Sequence, residues 1–210
     1  STYSNYYDSV PFSIVNCKFD VLTHGSPASY VKVGAGPLLL QNNYFGVPDD
    51  ALTFAYPVRH TAGSYSTIKH NVIEMGNKDA RIGLQLRSSY TNVIDNWFKG
   101  EPEDVSIHMI FQSESYPGIA PSHNLIKNNE ATAGNDYYKG AISVSPGAFV
   151  EGGVPSDSIY IEDNLLYSLN GDKRLINIGD VTNLGIRRNT LKDADTAIYI
   201  SSGDYIEISY

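Results

Sequence analysis

A short phrase recurs seven times along the chain and limits the possible folds more than any other feature. It is an apolar residue, two variable residues, an Asn, a variable residue and a second apolar residue, as in Val93-Ile94-Asp95-Asn96-Trp97-Phe98. The key positions are 17, 43, 71, 96, 129, 164 and 189, with Cys17 in place of the first Asn, so the steps are 26, 28, 25, 33, 35 and 25 residues. A repeat of this period predicts a solenoid.

Short stretches that alternate apolar and polar residues follow each phrase and predict strands with one buried face. They are Tyr30–Val33, Ala51–Phe54, Arg81–Leu86, Ser106–Met109, Ala141–Val144, Arg174–Ile178 and Ala197–Ile200. Each repeat therefore contains a strand that leads into the phrase, a bend, and a further strand after a loop. Equivalent strands are expected to stack in parallel, about 4.8 Å apart, which gives an all-β solenoid.

The Asn positions are best explained by structure rather than by chemistry. Asn tolerates the left-handed backbone angles of a sharp bend, and its amide both donates and accepts hydrogen bonds. Stacked in register, such amides can bond one coil to the next. We therefore assign no catalytic role to this column.

Charge and composition exclude several function classes. The formal charge is −8, which argues against a nucleic-acid partner, because phosphate binding needs clustered Lys and Arg. No apolar run approaches the ~20 residues of a membrane span. The single Cys17 excludes a disulfide framework and a Cys-rich metal site, and His60, His70 and His123 lack companions at metal-ligand spacing. Neither a metal nor a cofactor is expected.

The fourth and fifth coils, from Asn96 to Asn129 and from Asn129 to Asn164, are longer than the others. Insertions between repeats commonly carry the binding face of a solenoid. The added segments are rich in carboxylates, aromatic residues and Gly. The predicted acid/base residues are Glu103, Asp104, Glu114 and Asp136, with Glu101 in the same acidic turn. The alternatives are a solvated acidic turn or, less favoured, a Ca²⁺ site.

Two sets of outward residues are candidates for substrate binding. In the position after the key Asn, Tyr44 and Trp97 lie two coils apart, roughly 10 Å by the stacking distance, and can stack on sugar rings. Tyr137 and Tyr138 in the long fifth coil are assigned to further subsites. The alternative for the exposed rings is packing beneath a loop or a neighbouring subunit.

The second set lies on the strand after the loop, where the outward row reads Lys32, Thr53, Gln85, His108, Ser143, Asn177 and Tyr199. His108 and Arg87 are the candidates in this region. A cation that neutralises a carboxylate, with a group that removes a proton, is what β-elimination of a uronic-acid polymer requires. A lone His is nevertheless more often structural.

The phrase and the strand that follows it, as in Asn189-Thr190-Leu191 with Ala197-Ile198-Tyr199-Ile200, resemble those of right-handed parallel β-helix proteins. The resemblance covers residues 1–210 and implies a single β-helix domain of about seven coils. That superfamily includes pectate-lyase-like enzymes, polygalacturonase-type hydrolases and bacteriophage tailspike depolymerases. No family-specific catalytic signature is present, so no catalytic residue is carried over. The tailspike-like members imply a homotrimer at a virion surface or in an extracellular setting.

The sequence has no segment that predicts a cap helix at either end of the solenoid. We therefore expect a section of a longer polypeptide, or ends covered by flanking segments or neighbouring chains. The first functional hypothesis is a carbohydrate-active β-helix that binds and cleaves a bacterial surface polysaccharide or another acidic polysaccharide. The alternatives are a non-catalytic glycan-binding or structural solenoid of a fibre, and a polysaccharide lyase.

Overall fold

A computed structural model describes residues 11–20, 29–34, 36–47, 56–60, 63–77, 82–103, 105–110, 121–135, 139–145, 155–171 and 173–210. These residues form an all-β parallel solenoid of about six turns, close to the seven coils predicted. No helix occurs in these ranges, and accordingly none is long and apolar enough to cross a membrane.

Each coil contributes one strand to each of three parallel ladders, which we call A, B and C in the order the chain visits them. Ladder A contains β1 Phe12–Val15, β4 Leu38–Gln41, β7 Thr67–Lys69, β10 Asn92–Ile94, β13 Asn124–Lys127 and β16 Ser156–Glu162. Ladder B contains β2 Lys18–Phe19, β5 Tyr44–Gly46, β8 Val72–Asn77, β11 Trp97–Glu101, β14 Glu130–Thr132, β17 Leu165–Tyr167 and β19 Thr190–Lys192. Ladder C contains β3 Val31–Val33, β6 Val58–His60, β9 Ile82–Leu86, β12 Val105–Ile110 and β15 Ile142–Ser145.

Two long strands join ladders A and C at the C-terminal end of the solenoid. They are β18 Arg174–Arg187 and β20 Thr196–Ser209. The first half of β18 pairs with β15 in ladder C, and its second half pairs with β16 in ladder A. β20 pairs along both halves of β18. Ladders A and C therefore form one 13-stranded sheet, while ladder B is a separate seven-stranded sheet.

The apolar residues of the repeated phrase form two inward columns. In ladder A, Ile14, Leu40, Ile68, Val93, Ile126, Ile161 and Ile186 pair in register. In ladder B, Phe19, Phe45, Ile73, Phe98, Ala131, Leu166 and Leu191 do the same. Members in the middle coils, such as Ile68 and Phe98, are fully buried. The core is thus stacked from equivalent residues of successive coils, as the period predicts.

The Asn column bonds coil to coil, which confirms that prediction. The Oδ1 of Asn96 accepts hydrogen bonds from the backbone N–H of Asn71 at 3.0 Å and from its Nδ2 at 2.9 Å. The same pattern runs from Asn43 to Asn189, and the N–H of Cys17 donates to Asn43 Oδ1 at 2.9 Å.

The sequence predicts left-handed backbone angles at the key Asn. The structure instead has them at the residue before it. These residues are Asn16, Asn42, His70, Asp95, Asn128, Asp163 and Arg188, with φ between 52° and 59°. The correction has a simple cause. The amide of the key Asn points into the coil stack and bonds to neighbouring coils. The preceding residue, often an Asn or Asp, therefore adopts the left-handed backbone angles that the bend requires.

Candidate functional site

The outer face of ladder B carries the residues that follow each key Asn. Lys18, Tyr44, Val72, Trp97, Glu130, Leu165 and Thr190 lie on one row in parallel register. Tyr44 and Trp97 are therefore two rungs apart, with Val72 between them. At the strand spacing this separation is roughly 10 Å.

Tyr44 is held by charged neighbours on both sides of its strand. Its hydroxyl donates a hydrogen bond to Glu74 Oε2, and Lys18 Nζ lies 5.5 Å from its ring centroid. The bond to the carboxylate of Glu74, together with burial, raises the pKa of Tyr44 to about 12. The hydroxyl therefore stays protonated and fixes the ring against the sheet.

Trp97 presents a half-exposed ring on the same face. Its side chain and backbone together are 41% exposed, and Lys99 Nζ lies 3.8 Å from a ring centroid. Lys99 also lies 3.7 Å from Glu74 Oε1. Tyr44, Glu74, Lys99 and Trp97 thus form a continuous row of contacts across three coils.

A second carboxylate lies on the other side of Trp97. Glu130 is its register neighbour, and Glu130 Oε1 accepts a hydrogen bond from the Tyr167 hydroxyl at 3.3 Å. Burial, and to a smaller extent the carboxylate of Glu130, raise the pKa of Tyr167. The side chain of Trp97 also forms a hydrogen bond with Tyr167. Aromatic rings alternating with hydrogen-bonding carboxylates on a rigid, flat sheet are suited to sugar rings and their hydroxyl groups.

The acidic turn after β11 is tied to the two coils that follow it. Glu101 is buried, and its Oε1 accepts a hydrogen bond from Asn170 Nδ2 at 3.0 Å. The carbonyl of Pro102 accepts from the N–H of Asn135 at 2.8 Å. Glu103 follows at a half-buried position. Glu101 and Pro102 are therefore anchored to other coils directly before Glu103.

Asp104, Glu114, Asp136, Tyr137 and Tyr138 lie outside the described residues. Of the predicted catalytic carboxylates, the structure therefore describes Glu103.

Arg87 and His108 lie on a different sheet from Tyr44 and Trp97. One register row of ladder C contains Lys32, Arg59, Gln85, His108, Ser143, Asn177 and Tyr199. The predicted row had Thr53 where the structure has Arg59, because the strand of the second coil is Val58–His60. Residues 51–54 lie outside the described ranges. The predicted binding residues therefore divide between two faces.

Sequence reasoning missed an exposed aromatic column at the corner that precedes ladder A. The rings of Tyr65 and Tyr90 stack with centroids 4.9 Å apart, and Tyr90 stacks on His123 at 4.6 Å. All three residues have positive φ, and each precedes the key Asn of its coil by six positions. This constant spacing was the signal available in the sequence. Tyr90 stacks on two rings, whereas Tyr65 stacks on Tyr90 alone and is 72% exposed.

The described residues contain no group of three or more His, Cys, Asp or Glu side chains that could hold a metal ion. Glu74 and Glu130, which the prediction did not select as acids or bases, lie beside Tyr44 and Trp97 on ladder B. Glu130 belongs to the predicted outward row, and Glu74 lies two positions after Val72, a member of that row, on the same strand.

No protein family, curated protein or solved structure matches this chain.

Proposed function

We propose that the protein binds a polysaccharide along the outer face of ladder B and cleaves it with carboxylates of the long fourth and fifth coils. The observation that carries the proposal is the placement of Trp97. Its exposed ring lies on a rigid sheet, two rungs from Tyr44, with Glu130 as its register neighbour. Two flat aromatic surfaces at this spacing match sugars about two residues apart on an extended glycan.

The cleavage step rests on the acidic turn. Glycoside hydrolysis needs two carboxyl groups about 5 to 10 Å apart, one to protonate the leaving oxygen and one to act as nucleophile or base. Glu103 is held on a turn anchored by Asn135. Its partner in this proposal is Asp104, Glu114 or Asp136 from the same long coils.

A non-catalytic glycan-binding solenoid is the second candidate, and a specific observation favours it. Glu74 and Glu130, the carboxylates beside the aromatic residues, already accept hydrogen bonds from Tyr44 and Tyr167. Carboxylates occupied in this way orient hydroxyl groups well but are poorly placed to accept a proton from a substrate.

The resemblance to pectate-lyase-like and tailspike β-helices supports a further proposal, that the protein acts as a homotrimer outside the cell or on a virion. The outer face of ladder A carries partly exposed apolar side chains, among them Leu39, Ile94 and Leu125. Such side chains are suited to contact with a neighbouring subunit. Sedimentation of the protein as a monomer at micromolar concentration would contradict the trimer.

The binding proposal is tested by screening acidic capsules, O-antigens and plant uronans for affinity, with Trp97→Ala as the test variant. We expect the loss of one stacking platform to weaken binding by at least tenfold. Asn92→Ala is the control, because Asn92 is an exposed residue of the same coil on ladder A, which belongs to a different sheet. Equal affinity of the Trp97→Ala variant and the wild type would exclude this face as the site.

The cleavage proposal is tested separately with Asp104→Asn combined with Asp136→Asn. The double variant is expected to bind the polymer but to release no reducing ends. Full activity in it would leave Glu103 with Glu114 as the proposed pair, and full activity in a Glu103→Gln variant would remove the carboxylate assignment. Binding without any product from the wild type would favour the non-catalytic alternative, and an unsaturated, ultraviolet-absorbing product would favour a lyase.

A further inference from the structure

Two arginines lie side by side on the outer face of ladder C. Arg59 is in β6 and is the register partner of Gln85 in β9, while Arg87 directly follows β9. Gln85 and Arg87 share the outward side, since Leu86 between them is buried in the core. Arg59 Nε donates to Gln85 Oε1 at 2.9 Å, and its guanidinium carbon lies 4.8 Å from the Tyr56 ring centroid.

Arg87 is a half-buried cation that pairs with no carboxylate among the described residues. Its Nε is buried and has no hydrogen-bond partner. Burial, followed by repulsion from Arg59, lowers the pKa of Arg87 to about 10. Within the described part of the chain, no carboxylate forms an ion pair with Arg59 or Arg87. Proteins normally pair a charge that they withdraw from water, because an unpaired one costs several kcal/mol.

The arrangement does not reflect a shortage of carboxylates. The chain has 23 acidic and 15 basic residues. At the C-terminal end of β18, Arg188 Nε lies 2.7 Å from Asp163 Oδ1 and Arg187 Nη2 lies 2.6 Å from Glu207 Oε2. The register partner of Arg59 on β3 is instead a third cation, Lys32. Among the described residues, Lys32, Arg59 and Arg87 thus place three cations on the first three coils of ladder C.

We propose that Arg59 and Arg87 form a carboxylate-binding site on ladder C, separate from the aromatic face of ladder B. A guanidinium group presents parallel N–H donors that match the two oxygens of a carboxylate. The bound anion supplies a negative charge beside Arg87 and accepts hydrogen bonds from the guanidinium groups. The site goes beyond the proposed function. If its carboxylate comes from a uronic acid of the polymer, the site also explains a preference for acidic polysaccharides.

Calorimetric titration with sodium acetate, sodium glucuronate and glucose tests the site and distinguishes the sources of the carboxylate. We expect acetate and glucuronate to bind with dissociation constants on the order of 1–10 mM, and glucose not to bind here. Glucuronate bound at least tenfold more tightly than acetate would identify a sugar acid as the ligand. Equal affinity would identify any small carboxylate.

The variants are Arg87→Gln, Arg87→Lys and, as control, Arg188→Gln. Arg87→Gln is expected to weaken carboxylate binding at least tenfold, and Arg87→Lys to weaken it less, because Lys keeps the charge without the paired donors. Arg188 is already paired with Asp163, so its loss is expected to leave binding unchanged. Circular dichroism confirms that each variant folds.

Two results would overturn the site: no carboxylate binding to the wild-type protein, or unchanged binding to Arg87→Gln. The outcome is independent of the proposed function. Trp97→Ala is expected to leave acetate binding intact, so the ladder B proposal can fail while this one stands. Conversely, polymer binding that depends on Trp97 would leave ladder B as the glycan site even if acetate does not bind at Arg87.

Discussion

Asn96 Oδ1 accepts two hydrogen bonds from Asn71, one from its backbone N–H at 3.0 Å and one from its side-chain amide at 2.9 Å. The Nδ2 of Asn96 donates to the carbonyl of Ile68 at 2.9 Å and to Asn129 Oδ1 at 3.0 Å. One buried side chain thus connects three consecutive coils. The Asn side chains should therefore contribute more to the stability of the solenoid than the burial of their surface area alone would provide.

We expect Asn96→Ala to destabilise the protein by about 2–4 kcal/mol, because it removes the acceptor of the buried backbone N–H of Asn71 and the side-chain donors to Ile68 and Asn129. Asn92→Ala is the matched control. Asn92 belongs to the same coil, and its side chain is exposed. Its replacement should change the free energy of unfolding by less than about 0.5 kcal/mol. Urea unfolding measures both, and similar losses in the two variants would contradict the role given to the column.

Gly100 sets the position of the acidic turn, and its replacement should strain the backbone. Its φ is +89°, and an added Cβ would lie 2.4 Å from the carbonyl oxygen of Gly76. We expect Gly100→Ala to cost about 1–3 kcal/mol from the left-handed backbone, with the close contact added to it. If Glu103 is catalytic, the displaced turn should also lower the rate of polymer cleavage.

Gly34→Ala is the control for that experiment. An added Cβ at Gly34 meets no atom within 4 Å. The unfolded chain becomes stiffer when Gly is replaced by Ala, so the variant should be as stable as the wild type or slightly more stable. Thermal melting of the two variants side by side compares them, and a Gly100→Ala protein that melts like the wild type would refute the strain argument.

The sequence was sufficient to predict the architecture because the repeat acts locally and identically in every coil. Each phrase specifies an inward apolar residue, a bend and another inward residue, and stacking then follows from the constant spacing. In the second coil the sequence pattern did not identify the strand of ladder C. His60 occupies an inward position in β6, so Val58–His60 lacks the apolar alternation that marks a strand. Arg59 was therefore not recognised as the outward residue of that coil.

The candidate site was predictable only where it follows the repeat. The positions of Tyr44 and Trp97 come directly from the Asn phrase, and register then places them on one face. The pairing of Arg59 with Gln85 depends on the length of the loop between β5 and β6, which local sequence does not determine. The stacking of Tyr90 on His123 depends on left-handed backbone at both residues, which Tyr rarely adopts.

His60 makes the stability of the protein depend on pH. The side chain is fully buried, and its Nε2 lies 2.7 Å from Ser66 Oγ. Burial lowers the pKa of His60 to about 4 from its ordinary value of 6.5. Between these values the unfolded chain binds a proton that the folded protein excludes, so stability falls as the pH falls. The contribution lost between pH 7 and pH 4 is about 3 kcal/mol, and none is lost above pH 7.

His60→Gln isolates this contribution, since an amide retains a hydrogen-bonding group for Ser66 and does not titrate. The difference in unfolding free energy between wild type and variant, measured in urea at several pH values, cancels the effect of every other titrating group. We expect this difference to shift in favour of the variant by about 3 kcal/mol from pH 7 to pH 4. A difference that stays constant with pH would show that His60 becomes charged without penalty in the folded protein.

Trp97 is the single Trp of the chain, so its fluorescence reports on the outer face of ladder B alone. Its half-exposed ring carries the ammonium of Lys99 at 3.8 Å, an arrangement that a bound sugar would displace or cover. We expect a polymer that binds this face to shift the emission in a saturable manner, while acetate at Arg87 leaves the spectrum unchanged. Tyr44→Phe, which loses the hydroxyl but keeps the ring, should preserve the response, and Tyr44→Ala should weaken it. Polymer binding that is measurable by calorimetry but silent in Trp97 emission would place the glycan on another part of the solenoid.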